Sequence, residues 1–208
     1  INLPAFNGAT GYVLRFAPVG ATIGTWMLYD RLAHMGGLSG TNAGVQTVNV
    51  TLTTAAAAGR CLSSGNNVEW YVEIYTDIGT TAANLTVTYT DSADTGSKTV
   101  VLSGFSGASP LNRLGRCVPI VPTDNLAIKS IQSVQLSTST LTAGNFGITA
   151  RRRLASAGQL LANILPPGVD GLSLGLPVVQ ETSCLELLVL CSTTSTGICY
   201  GEVLIGYK

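Results

Sequence analysis

The chain has 208 residues and a formal net charge of zero, with 11 basic and 11 acidic residues. Charged residues make up 11% of the chain, under half of the roughly 25% usual in soluble proteins. This composition excludes a charged disordered tail and lacks the basic excess of nucleic-acid-binding proteins. No apolar run approaches the roughly 18 residues of a membrane helix. A chain this neutral is expected to associate with copies of itself or with other proteins.

Repeated glycines interrupt residues 1–44, and this pattern predicts an irregular, extended N-terminal arm. Within this segment, residues 25–35 have helical potential, with Thr25 as a cap and Gly36-Gly37 as a stop. Trp26 and Tyr29 are too apolar to remain in solvent. We therefore expect these two side chains to lie in an interface with another subunit.

Alternating apolar and polar residues predict strands over most of the remaining chain. The clearest is 67–78, in which Trp70 and Val72 lie on one face and Glu69, Tyr71 and Glu73 on the other. In 126–136 the apolar parity changes after Ser130, which predicts a β-bulge. The other strands predicted in this part of the chain are 45–53, 85–90, 98–103 and 146–150, with a hairpin turn at 91–96.

The C-terminal part is predicted to hold a long loop and a hairpin. Residues 160–178 are apolar and rich in Pro and Gly, and loops of this length are usually functional or packed on a neighbour. Strands 183–191 and 199–207, joined by 192–197, would pair Leu187 with Val203. About seven to nine short strands without alternating helices predict an all-β protein with a β-sandwich or jelly-roll fold. Residues 45–208 then form one domain after the arm.

Five cysteines, at positions 61, 117, 184, 191 and 199, lack the spacing of a zinc site. Cys184 and Cys191 cannot bridge within one strand, because seven residues span about 23 Å and a disulfide needs Cα atoms within about 7 Å. Cys191 and Cys199 would be neighbours in the predicted hairpin, so a disulfide is allowed there. Cys61 and Cys117 lie beside Gly, Ser and Arg, which leaves open a cross-link between subunits. Buried reduced thiols are the alternative.

The sequence carries no recognisable catalytic or cofactor motif. His34 is the one histidine, and nucleophilic catalysis needs an imidazole or a tuned pair of carboxylates. Glu69 and Glu73 are about 13 Å apart along one strand face, beyond the spacing of a glycosidase pair. The sequence therefore predicts a protein that is not an enzyme and that binds neither a metal nor a cofactor. A hydrolase using His34 or Glu73 is the alternative.

Arg151, Arg152 and Arg153 form the one cationic cluster. Three charges make a weak phosphate site, because nucleic-acid affinity grows with each phosphate contact. Guanidinium groups suit carboxylates at interfaces, so we expect these arginines to form salt bridges to a neighbouring subunit.

Five stretches of the chain form a recognisable set: YDRLAHMGGLSG (29–40), LTVTYTD (85–91), IQSVQLS (131–137), AGNFGI (143–148) and LVLCSTTSTG (188–197). Together they resemble a family of tailed-bacteriophage virion proteins. The resemblance implies a β-rich virion structural protein, either a capsid decoration (cement) protein or a neck and collar component, and often a trimer. The five cysteines are not part of the family pattern and would suit a disulfide-stabilised particle.

The expected partners are copies of the chain, with a trimer favoured, and the major capsid or neck proteins of the same virion. No nucleic acid or membrane partner is expected. The protein would be made in the host cytoplasm and end in the virion. Fibre attachment is an alternative within this class. A carbohydrate-binding adhesin module is a further one, for which Tyr71 and Tyr75 beside Glu69 and Glu73 are the candidate residues.

Overall fold

A computed structural model describes residues 3, 5–107, 113–164, 168–191 and 198–208, and it is all-β. The described residues form thirteen strands and one short helix. In chain order they are β1 (Gly11–Gly20), β2 (Gly24–Leu38), β3 (Val45–Thr51), α1 (Thr53–Ala57), β4 (Glu69–Thr76), β5 (Leu85–Asp91), β6 (Lys98–Leu102), β7 (Cys117–Ile120), β8 (Ile128–Leu136), β9 (Asn145–Gln159), β10 (Val169–Asp170), β11 (Val178–Val179), β12 (Leu185–Cys191) and β13 (Cys199–Tyr207).

The chain divides into two compact units, which differs from the predicted arm followed by one domain. Unit 2 comprises Leu32–Arg151, and unit 1 comprises the chain up to Arg31 together with Arg152–Lys208. The two boundaries fall within β2 and β9. Unit 1 is therefore built from segments near both ends of the sequence, and no local sequence pattern predicts that these two segments pair.

Unit 2 is a β-sandwich. Its two sheets have the strand orders β2-β9-β4-β7 and β3-β8-β5-β6. Alternation places Trp70, Val72 and Ile74 of β4 in the same buried core as Val87 of β5 and Ile131 of β8. The predicted all-β sandwich is thus confirmed, whereas the jelly-roll order of strands stays a prediction.

The predicted change of parity in β8 is confirmed as a pair of irregularities. Opposite β5, Ser133 pairs with Thr88 and Ile131 with Tyr89, and the register shifts again before Ile128. The extra residues keep Ile131 and Val134 in the core, because each shift turns the following side chains to the other face.

Unit 1 has its own apolar core, formed by side chains from strands near both ends of the chain. β1 pairs with β13 on one side and with β10 and β11 on the other, and β12 pairs with β2. Phe16 of β1, Trp26 and Leu28 of β2 and Leu154 of β9 are buried together. Pairing of the first strand with the last fixes both chain ends in this unit.

The prediction of an irregular segment over residues 1–44 is wrong for β1 and β2, and the helical potential of 25–35 is not realised. Residues 25–30 pair with β12, from Leu190 opposite Thr25 to Leu185 opposite Asp30. Strand pairing supplies the backbone hydrogen bonds that an isolated helical turn would have to supply alone. The glycines are tolerated at strand ends and close contacts: a Cβ at Gly20 would lie 2.2 Å from the Trp26 ring.

The predicted C-terminal hairpin is also wrong in its pairing. Leu187 lies opposite Leu28 of β2, and Val203 lies opposite Phe16 of β1. Each strand thus pairs with a strand from the start of the chain, although the boundaries 199–207 are as predicted. The predicted turn at 192–197 and the proline pair of the loop at 160–178 lie outside the described residues.

Candidate functional site

The last two strands of unit 1 leave large apolar side chains in contact with solvent. β12 has the sequence LELLVLC, a run typical of strands covered on both faces. In the structure it is the outer strand of the order β12-β2-β9. Leu185 is its one buried residue, and Leu190 is 69% exposed. We call the exposed apolar side chains of β12, β13 and the residue before β13 the edge surface: Leu187, Leu190, Ile198, Tyr200, Leu204 and Tyr207.

The loop predicted over 160–178 adds a second set of exposed apolar side chains to unit 1. Its backbone joins β1 through Asp170 opposite Arg15 and Val169 opposite Phe16. The exposed members are Leu160, Leu161, Ile164, Leu172 and Leu176. Large exposed apolar patches mark interaction sites more often than single exposed side chains do, so unit 1 is the candidate interaction surface.

Trp26 and Tyr29 do not belong to this surface, and the expectation that they lie in an interface is corrected. Trp26 is 3% exposed and Tyr29 is fully buried. The indole N–H of Trp26 donates to Gln159 Oε1 at 2.9 Å, and the backbone N–H of Gly20 donates to the same oxygen at 2.7 Å. Both aromatic side chains therefore stabilise unit 1 from within.

Two of the three clustered arginines bind carboxylates of their own chain and not those of a neighbouring subunit. Arg151 is fully buried, with Nη2 3.1 Å from Glu73 Oε2. Arg152 donates to the carbonyl of Val178 at 2.6 Å and lies 3.6 Å from the buried Asp30 carboxylate. Because successive side chains of a strand point to opposite faces, Arg151 and Arg152 lie on opposite faces of β9. Arg153 is exposed, and its predicted role at an interface stays a prediction.

No disulfide links any of the five cysteines, all of which lie within the described residues. The allowed bridge between Cys191 and Cys199 is not formed, because their strands pair with different partners. Cys191 lies opposite Gly24, and Cys199 lies opposite Gly20. Partial desolvation raises the pKa of the Cys199 thiol, which lowers its thiolate fraction. A cross-link between subunits through Cys61 or Cys117 stays a prediction.

Polar side chains on one sheet face of unit 2 form a network of hydrogen bonds and an ion pair. We call it the polar cluster: His34, Glu69, Tyr71, Glu73, Tyr75, Thr149 and Arg151. Glu73 Oε2 accepts hydrogen bonds from the hydroxyls of Tyr75 at 2.9 Å and Thr149 at 2.8 Å. His34 Nδ1 lies 3.0 Å from Thr149 Oγ1. Thr149 is fully buried, so its hydroxyl cannot reach a substrate as a nucleophile.

The sequence placed four of the seven members of this cluster together. Glu69, Tyr71, Glu73 and Tyr75 were expected on one strand face, and the structure places them there with the Tyr71 hydroxyl donating to Glu69 at 2.6 Å. Thr149 and Arg151 were not connected to them. The available signal was the parity of the predicted strand 146–150: Phe146, Ile148 and Ala150 share one face, which leaves Thr149 and Arg151 on the face that meets Glu73.

A cavity of about 260 Å³ adjoins the polar cluster within unit 2. It is lined by Glu69, Tyr71, Pro119, Val121 and Pro122, among others. The Arg151 guanidinium lies 5.1 Å from the centre of the Tyr71 ring, within the range of a stabilising cation–π contact. The cavity thus combines an apolar wall with a carboxylate at its margin.

A second ionic group, at the predicted hairpin turn 91–96, makes stability depend on pH. Lys98 Nζ lies 2.6 Å from Asp91 and 2.6 Å from Asp124. Hydrogen bonds from Lys98 lower the pKa of both carboxyls, and the two carboxylates raise the pKa of Lys98. The turn is further held by the Asp91 carboxylate, which accepts from the N–H groups of Ala93 and Thr95.

Acid is therefore expected to weaken the fold through this group. A carboxyl whose pKa is lowered by folding contributes stability that is present above its unfolded value of about 4 and is lost as pH falls through the folded value. The urea midpoint should fall between pH 5 and pH 3, and it should fall less in Lys98→Met. Lys208→Met, at the chain end, should keep the wild-type slope. Equal slopes in all three proteins would contradict this role of Lys98.

Comparison of the chain with protein-family models, curated proteins and solved structures finds no match. In the described part of the chain, no helix has the length and apolar character needed to cross a membrane. Nor do the described residues include a group of three or more His, Cys, Asp or Glu side chains placed to hold a metal ion. The fold and the exposed surfaces are therefore the basis for a functional proposal.

Proposed function

We propose that this chain is a non-enzymatic structural protein of a tailed-bacteriophage particle that decorates or stabilises the head through contacts between subunits. The sequence resemblance is the reason for the viral class. The observation that carries the assembly role is the edge surface: β12 has the composition of a strand covered on both faces, and yet Leu187 and Leu190 are exposed. We expect copies of the chain and the capsid proteins of the same particle to bind this edge surface.

Two further properties support this assignment. The net charge of zero removes the electrostatic repulsion that would oppose close packing of copies. The exposed apolar side chains among residues 160–164 and 168–176 supply a second apolar contact on unit 1. A neck, collar or fibre-attachment component would need the same properties. These properties therefore do not distinguish between positions in the virus particle.

The test is mass spectrometry of virus particles purified by density gradient from the source of the gene. A decoration protein should be present in tens of copies or more per particle, and particles without it should lose their DNA at lower temperature. A neck component should instead be present in few copies, with intact heat resistance of the head. Absence of the chain from purified particles would contradict both assignments.

The cavity beside Glu69 and Tyr71 favours carbohydrate binding as a second candidate function. An aromatic ring next to a carboxylate is suited to a sugar ring, which presents both an apolar face and hydroxyl donors. The tyrosines are half-buried with hydroxyls bonded to carboxylates, so the cavity, and not an open tyrosine face, is the proposed subsite.

The expected result is binding on a glycan array that Glu69→Gln reduces by about tenfold or more, because a hydrogen bond to a charged group is lost. Glu181→Gln, an exposed carboxylate in unit 1, should leave binding unchanged. An array without any bound glycan would remove this candidate and leave the virion proposal intact.

A further inference from the structure

The outer edge of β13 presents a full row of backbone hydrogen-bonding groups. Lys208 and Thr10 exchange two backbone hydrogen bonds of 3.1 Å, and Ala21 N–H donates to Ile198 at 3.1 Å. These bonds show that the backbone N–H and C=O groups of the even-numbered residues of β13 point toward β1. Because backbone groups alternate along a strand, residues 199, 201, 203, 205 and 207 turn their N–H and C=O groups the other way. Among the described residues, no strand pairs with that side of β13.

This edge lacks the features that usually prevent pairing with another chain. Lysine, proline and strong bulges blunt edge strands in natural sheets, but the β13 sequence is CYGEVLIGY. Its one charged residue, Glu202, lies 3.8 Å from Arg15 on the neighbouring strand. Gly201 is the one residue of β13 with a positive φ, at +150°, and the other residues of the strand are mostly apolar, so the edge is a template for strand addition.

We propose that β13 pairs antiparallel with β13 of a second copy of this chain, around a two-fold axis at Val203. This pairing rests on the proposed function, because it is the contact between copies of the chain that an assembly protein would use. Centring on Val203 brings the outward backbone groups of both strands into register, with Ile205 opposite Gly201 and Tyr207 opposite Cys199. On the opposite face, Tyr200 lies opposite Gly206 of the second copy, where it meets the Leu14 side chain that covers this glycine.

The side chains along this edge supply apolar area for the contact. Tyr200 is 54% exposed and Tyr207 is 63% exposed. At roughly 200 Å² for a whole tyrosine side chain, the two expose about 230 Å². Stable dimers bury about 800 Å² per partner, and the strand backbone, Leu204 and Leu14 add to the tyrosines. This is a modest interface, so the dimer should dissociate on dilution.

The first experiment uses proline to remove one outward N–H from the full chain. Val203→Pro deletes a donor that faces the second copy and keeps the bonds to β1, and edge positions with an outward N–H tolerate proline. Val203→Ala is the matched control, because it loses similar packing and keeps the N–H. In sedimentation equilibrium at tens of micromolar, wild type and Val203→Ala should be dimers and Val203→Pro a monomer with unchanged circular dichroism.

A second pair of variants tests the register and covers the case in which Val203→Pro does not fold. In the proposed pairing, Leu204 lies opposite Glu202 of the second copy. Leu204→Glu should repel and give a monomer, whereas Leu204→Lys should attract and keep the dimer. Leu204 is 47% exposed, so both variants are compatible with folding. Equal effects of the two charges would overturn the register.

The measured assembly state can overturn the β13 pairing without overturning the proposed function. A monomeric wild type, or a dimer that Val203→Pro leaves intact, would overturn the pairing. A trimer would overturn the two-fold contact, because a three-fold ring needs two different surfaces, and it would still support a virion assembly protein. Absence from virus particles with an intact β13 dimer would contradict the proposed function alone.

Discussion

Gly79→Ala is expected to destabilise the protein by about 3 kcal/mol or more. A Cβ at this position would lie 1.6 Å from the carbonyl oxygen of Thr140 and 2.8 Å from the backbone nitrogen of Thr142. Both obstacles are backbone atoms, so relief requires the chain to move and not merely a side chain to rotate. Overpacking of this kind costs about 1–3 kcal/mol, and loss of a buried hydrogen bond adds about 1 kcal/mol or more.

The buried hydroxyl of Thr140 explains why such a shift is costly. It accepts from the N–H of Gly79 at 3.0 Å and donates to the carbonyl of Gly40 at 2.9 Å. Thr140 is 1% exposed. It therefore joins the segments that follow β2, β4 and β8 within unit 2, and moving Gly79 breaks the link between all three.

Urea unfolding of the variant measures this cost, with Gly158→Ala as the matched control. Gly158 lies in β9, is exposed, and has no atom within 4 Å of a Cβ built on it. Its replacement should change the free energy of unfolding by no more than about 0.5 kcal/mol. If the two alanine variants unfold at the same midpoint, the steric explanation for Gly79 fails.

The strands of unit 2 could be predicted because their alternation has one interpretation. Residues 69–76 form β4 with Trp70, Val72 and Ile74 in the core, as the period of two requires when one face is buried. The shift in β8 was visible for the same reason: apolar side chains must reach the core from whichever parity they occupy. Helix α1, at residues 53–57, was missed because five residues with three alanines give little periodicity.

The organisation of unit 1 could not be predicted, because its order depends on contacts between chain ends. The early glycines suggested an irregular segment, but β13 and β12 supply partners for β1 and β2. A hairpin between β12 and β13 was the simplest local solution, and sequence adjacency favours it in most proteins. Nothing local in LELLVLC distinguishes pairing with β13 from pairing with β2.

The candidate sites show the same division between local and long-range information. The face that carries Glu69, Tyr71, Glu73 and Tyr75 followed from alternation alone. The position of Arg151 opposite Glu69 follows from the register of β4 and β9, which the sequence does not encode in any short pattern. The three arginines appeared as one cationic cluster, whereas Arg151 is buried and Arg153, two residues further along β9 and beyond the residues that pair with β4, is exposed.

Arg151→Met is expected to destabilise the protein by about 3 kcal/mol at neutral pH. The guanidinium is fully buried, binds Glu73 at 3.1 Å and lies over the Tyr71 ring. Methionine has similar length but no charge, so the largely buried Glu73 carboxylate loses its cation. Breaking a buried ion pair from one side costs about 3–5 kcal/mol. The hydroxyls of Tyr75 and Thr149 still donate to Glu73, which places the expected cost at the lower end.

A double-mutant cycle in urea unfolding separates lost charge pairing from lost packing. Glu73→Gln in the Arg151→Met background removes the unpaired carboxylate and should recover at least about 1 kcal/mol. Arg153→Met is the control on the same strand; its side chain is exposed, so the expected cost is below about 0.5 kcal/mol. An Arg151→Met protein as stable as Arg153→Met would show that the cation does not hold the polar cluster together. Additive effects of the Arg151 and Glu73 variants would instead assign the cost to packing against Tyr71.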